Sequence, residues 1–108
     1  MAAVKAVSRM FRCLLTRHAQ QACFTDRYGK IVPPTSIIHS ADNIVEIEVE
    51  NNSPIKVVVR LPYDTQRDVI IAFIPDFDTA IVKTCWFNLK TDQHRTLDTS
   101  RYSSVKIS

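Results

Sequence analysis

"AAVKAVSRMFRCLLTRHAQQACF", residues 2–24, is the stretch on which the fold of this chain turns. It contains no Gly or Pro, and it places Val4, Val7, Phe11, Leu14, Leu15, His18 and Ala22 at steps of three and four. That is the period of an α-helix with one apolar stripe, so the spacing predicts a first helix from about 3 to 24. Tyr28 and Gly29 would end it, Gly because it accepts the left-handed conformation that follows a helix. Pro33 and Pro34 force an extended stretch, and "TSIIHSA", residues 35–41, can add a second, short helical turn capped by Thr35.

From Asn43 onward the period changes to two. In "NIVEIEVE", residues 43–50, Val45, Ile47 and Val49 alternate with Glu46, Glu48 and Glu50, which predicts a strand with one face on a core and one in water. "ENNSP" turns the chain. In "IKVVVRL", Ile55, Val57, Val59 and Leu61 point one way and Lys56, Val58 and Arg60 the other. "PYDTQRD" turns it again, "VIIAFI" at 69–74 is apolar on both faces and so central, "PDFDT" makes a third turn, and "AIVKTCWFN" supplies a fourth strand. Short turns between consecutive strands imply an antiparallel meander.

The expected fold class is therefore α+β: one long N-terminal helix, with or without a second short one, packed on a four-stranded antiparallel sheet. Residues 1–108 read as a single domain, helical over 3–40, sheet over 43–88, with a polar C-terminal segment at 89–108. The sheet face away from the helix carries Lys56 and Arg60 and would be open to a ligand.

With 45% hydrophobic and 23% charged residues the chain should fold. Its net charge is +3, but both ends are basic: residues 1–30 hold Lys5, Arg9, Arg12, Arg17, Arg27 and Lys30 against Asp26 alone. If the ends meet they form a positive patch suited to RNA or DNA; otherwise they are two scattered basic surfaces. Cys13, Cys23 and Cys85 are odd in number and widely spaced, which argues against a disulfide framework and for a reducing cytoplasm. His18, His39 and His94 lack the paired spacings of a zinc site, so no metal is expected. No apolar run reaches the about 20 residues that span a bilayer, so no membrane partner is expected. The Arg-rich, acid-poor first 25 residues also fit an organellar transit peptide.

A single Gly rules out a Walker loop, a dinucleotide fingerprint and a nucleophile elbow, and the pattern of a zinc deaminase is absent. No cofactor is expected. What remains is the inventory for cleaving RNA without a metal. His18 and His94 can supply acid and base, with unperturbed pKa values of roughly 6.5. Arg60 or Lys56 can hold the phosphate, and Trp86 or Tyr102 can stack a base. Each has a structural alternative: His18 as a packed core histidine, His94 as an exposed loop residue, Arg60 as a cross-strand ion-pair partner, Trp86 as core. In a regular strand Lys83 lies opposite Thr84 and Trp86, so these serve one site only if a bulge intervenes.

"LTRHAQQACFTDRYGKI", "IKVVVRLPY" and "AIVKTCWFNLKTDQHRTLDTSRY" together resemble small phage and bacterial proteins of the barnase/EndoU/colicin/RelE-like ribonuclease superfamily. The resemblance spans about residues 15 to 103, and its most specific piece is "DQHRTLD" at 92–98. It implies a site of His18, Arg60, Thr84 and the 92–98 loop, with His94 catalytic, Arg95, Thr96 and Tyr102 on substrate, and Asp92 or Asp98 orienting His94 as a carboxylate orients a general base. It implies toxin-like cleavage of tRNA or mRNA by a free-standing cytoplasmic protein, phage-encoded and directed against its host. The reading from the other class is a non-catalytic accessory, virion or inhibitor protein that binds a host protein or nucleic acid with the same sheet face. Two features favour this second reading: the acidic strand residues Glu46, Glu48 and Glu50 would repel RNA if they border the groove, and a buried His18 would take no part in catalysis.

Overall fold

A computed structural model describes residues 9–92 and 104–105. The opening stretch does not form one helix. Arg9–Leu15 is a strand, β1, and the helix α1 covers only Arg17–Thr25. A period of two is written in the same residues: Phe11, Cys13 and Leu15 turn to the core while Met10, Arg12 and Leu14 turn out. Helical periodicity is a weak prior, whereas a strand here gains β2 and β6 as neighbours, and tertiary pairing wins. Thr16 separates the elements as the helix N-cap, its hydroxyl accepting from the Ala19 N–H at 3.1 Å. The helix ends at Asp26, whose Oδ2 accepts from Tyr28 N at 3.0 Å and whose Oδ1 accepts from Phe87 N at 3.2 Å.

"TSIIHSA" is also a strand, β2 (Ser36–His39), followed by a 3-10 turn at Ala41–Asn43 rather than a helical turn capped by Thr35. Four strands then follow in a meander: β3 (Ile44–Glu50), β4 (Ser53–Pro62), β5 (Arg67–Asp76) and β6 (Thr79–Leu89). Ser104–Val105 forms a two-residue strand, β7, on the outer side of β3. The sheet order is β2-β1-β6-β5-β4-β3-β7, with β5 in the middle. Among the described residues only β1 and β6 run parallel, from Arg12 opposite Thr79 to Leu15 opposite Val82. Among the described residues a mixed half-barrel sheet with one short helix thus replaces the expected long helix on a four-stranded antiparallel sheet.

The two sheet faces carry separate cores. On one, Val59, Ile71, Phe73, Val82, Cys85 and Phe87 pack beneath Ala19 and Cys23 of α1. His39 lies in this layer, its ring stacked on Phe11 at 5.7 Å. On the other, Val58, Ile70 and Ala72 form a smaller cluster with Val45 and Trp86. Insertions on β3 and on β6 move side chains from one face to the other. On β3 one residue is inserted at Val45, so Ile44 and Ile47 face the larger core and Val45 the smaller, not Val45, Ile47 and Val49 on one side; Glu46 is buried and Val49 exposed. On β6 Ala72 pairs with Thr84 and Phe73 with Val82, so Lys83 is the bulged residue.

Candidate functional site

The expected ribonuclease site is only partly assembled. Alternation along β4 and β6, with the bulge at Lys83, brings Lys56, Arg60, Thr84 and Trp86 to the face opposite α1. His18 does not join them. Helix α1 buries Ala19 and Cys23 against the opposite sheet face, and His18 is exposed on the helix. The acid or base assigned to it is thus on the wrong layer of the fold. His94, Arg95, Thr96, Asp98 and Tyr102 lie outside the described residues.

Arg60 is committed to the sheet itself. Its Nε donates to Asp68 Oδ2 at 2.7 Å and its Nη2 to the Leu89 carbonyl at 2.9 Å, while Lys90 Nζ donates to Asp68 Oδ1 at 2.6 Å. The partner therefore comes from β5, not from the glutamates of β3. Burial pushes the Asp68 carboxyl up, but the hydrogen bonds from Lys90 and Arg60 outweigh it and hold the group below the ordinary carboxylate range. A guanidinium so engaged offers a phosphate little of its fork. Trp86 packs against the smaller core, half-buried. Asp92 stabilises the turn after β6, its Oδ2 accepting from Leu89 N at 3.0 Å.

A different surface is exposed at the β2 end of the sheet. Met10 and Ile38 are cross-strand partners, 63% and 62% exposed, and Leu14 on the same face of β1 is 62% exposed. At the β5–β6 hairpin tip Phe77 is 92% exposed with φ 54. The Arg12 N–H donates to the Asp78 carbonyl at 2.8 Å, which ties that tip to the start of β1. A bulky residue in the left-handed region is uncommon and strained, and a fully solvated phenyl ring gains nothing by being there. Among the described residues β2 has a strand neighbour on one side only, and its sequence, Ser-Ile-Ile-His, carries none of the Lys or Pro that blunt an open edge.

No family model, curated protein or solved structure matches the chain. The assignment of function therefore stands on these residues.

The apolar corner was missed in the sequence for identifiable reasons. The helical period assigns Leu14 to a buried stripe and Ile38 to a helical turn, and "PDFDT" reads as a turn that takes in Phe77. The available signal was "PDFDT" itself, an aromatic residue at the centre of a tight turn that Gly, Asn and Asp otherwise dominate. Among the described residues no helix is long and apolar enough to cross a membrane.

Proposed function

We propose that the chain is a non-catalytic interaction protein that engages another protein through the corner formed by Phe77, Met10 and Ile38. Phe77 carries the argument: a side chain held in a strained backbone and almost wholly in water is an anchor waiting for a pocket. Aromatic and Met side chains are enriched at the buried centres of protein interfaces, and large apolar side chains left in water on a folded chain mark such sites. The open β2 edge beside it offers backbone groups for an added strand. The partner is a protein presenting an apolar pocket and an extended segment.

The test uses a photo-cross-linking residue in place of Phe77, and in a control in place of His18, in the cell where the chain is expressed. Discrete cross-linked species from position 77, absent from position 18 and competed by the unlabelled chain, are expected. Equal labelling from both positions overturns the reading. The conservative partner experiment is Phe77→Asn, since Asn tolerates the left-handed region. Stability should hold or rise by up to about 1 kcal/mol, because backbone strain is relieved, while complex formation falls at least tenfold. A parallel loss of both would mean that Phe77 serves the fold.

A metal-independent endoribonuclease remains the second reading, favoured by one observation: the Lys83 bulge turns Thr84 and Trp86 toward the face that carries Lys56 and Arg60. In this reading His94 supplies the acid-base chemistry on tRNA or mRNA. Tightly controlled expression in a bacterium of wild type, His18→Ala, Arg60→Ala and His94→Ala, with sequencing of RNA 5′ ends, decides it. New ends abolished by His94→Ala at unchanged protein level support cleavage, and intact RNA removes it.

A further inference from the structure

Cys23 on α1 and Cys85 on β6 are 62 residues apart in sequence, yet their Sγ atoms stand 3.0 Å apart. Each residue is 1% exposed. The separation exceeds a disulfide bond, roughly 2.05 Å, by only about 1 Å. We propose that Cys23 and Cys85 are a disulfide-forming pair, a modification site that a low-molecular-weight disulfide oxidises. One thiolate attacks the external disulfide, forming a mixed disulfide and expelling one small thiolate. The second cysteine, as thiolate, attacks the protein sulfur of that mixed bond, closing Cys23–Cys85 and expelling the other small thiolate. The two cysteine protons end on the two released thiols; the cysteines are oxidised and the reagent is reduced.

The fold determines how the reaction is gated. Burial, reinforced by the neighbouring Cys23 thiol, pushes the Cys85 thiol far up, and burial pushes Cys13 up to about 11, so Cys85 and Cys13 hold little thiolate near neutral pH. Neither buried sulfur meets a reagent while α1 is seated. The helix is nine residues long and buries only Ala19 and Cys23, so its opening precedes that of the sheet, and oxidation follows the helix. Once closed, the bond ties the one helix to the fifth-to-sixth strand layer and shields itself from reductant by the same burial.

The test exposes the full chain to excess oxidised glutathione at pH 8.5, with mild denaturant below the global transition in a parallel sample. Non-reducing peptide mapping should find one cross-link, Cys23 to Cys85, with loss of about 2 Da and no retained glutathione at those positions. The unfolding midpoint should rise by at least about 5 °C and return on reduction. Cys13→Ser should behave as wild type, and Cys85→Ser should leave Cys23 as a thiol or a mixed disulfide. Cross-links through Cys13, or free Cys23 and Cys85 thiols after Cys13 has fully reacted in both samples, overturn the proposal.

Discussion

Gly29 and Arg67 show how much of this fold depends on a few side chains. The Arg67 guanidinium donates to Asp64 Oδ2 through Nε at 2.8 Å and Nη2 at 2.6 Å, and through Nη1 to the Tyr28 carbonyl at 2.9 Å. It also lies over the Phe87 ring at 4.5 Å and near Tyr63 at 5.3 Å, so it joins the helix exit, the β4–β5 turn and β6. The chain passes beneath it at Gly29, with φ 116, where an added Cβ would stand 3.0 Å from Nη1. Gly29→Ala should therefore cost about 1–3 kcal/mol, read as a lower urea midpoint at constant slope. Titration belongs to the same scale. The Asp68 carboxyl is held below its unfolded pKa of about 3.9, so the unfolded chain binds the proton first as pH falls. Its stabilisation is complete above that pKa and is lost as pH descends through the folded value. Asp64, held at about 2 first by its hydrogen bond from Arg67, shifts in the same direction but is solvent-screened. Unfolding midpoints from pH 6 to 2 should fall at the acid end, and Asp68→Asn should flatten that slope while lowering the plateau.

At the scale of elements, the bulge on β6 is the device that lets one strand serve two cores. Val82 and Cys85, three residues apart, both face α1 because Lys83 is inserted between the paired positions. Removal of Lys83 would leave Val82, Thr84 and Cys85 in strict alternation. The deletion should still fold, with a cooperative transition and a loss of about 1–2 kcal/mol as local twist and the Lys83 carbonyl contact with Thr16 are lost. Deletion of Ile71 from β5, by contrast, reverses the faces of everything beyond it and should abolish cooperative unfolding in the same denaturant titration. The β3–β4 hairpin has a simpler logic: Asn51 and Asn52 at φ 51 and 64 make the two-residue turn that matches strand twist.

For the whole molecule, the pairing of β1 with β6 sets the topology and the folding time. It joins residues near 12 to residues near 79, and parallel strands need a crossover to meet. Chains dominated by such distant contacts fold in milliseconds to seconds, and stopped-flow refolding should fall in that range, with β1 substitutions such as Phe11→Ala mainly accelerating unfolding if β1 docks last. A microsecond phase accounting for the full amplitude would contradict this timescale.

The residues by themselves determined the four meander strands and their turns, because short apolar and alternating runs over 43–88 are punctuated by Asn, Pro and Asp, although which side chains of β3 and β6 face the core was decided by the insertions at Val45 and Lys83. They also placed "VIIAFI" in the middle, since apolar residues on both faces require neighbours on both sides. Only the tertiary structure decided the rest. Residues 9–15 satisfy the helical and the strand period alike, and the choice fell to an open edge of β6 that no local pattern records. Of the expected site, the common face of Lys56 and Arg60 was legible from alternation along one strand, whereas Thr84 and Trp86 share it only because the bulge at Lys83 separates them from Val82. The separation of His18 from that face was not, because it depends on the layer to which α1 docks. The pairing of Cys23 with Cys85 and the stranding of Phe77 in water were equally invisible, since both are facts of three-dimensional proximity rather than of spacing along the chain.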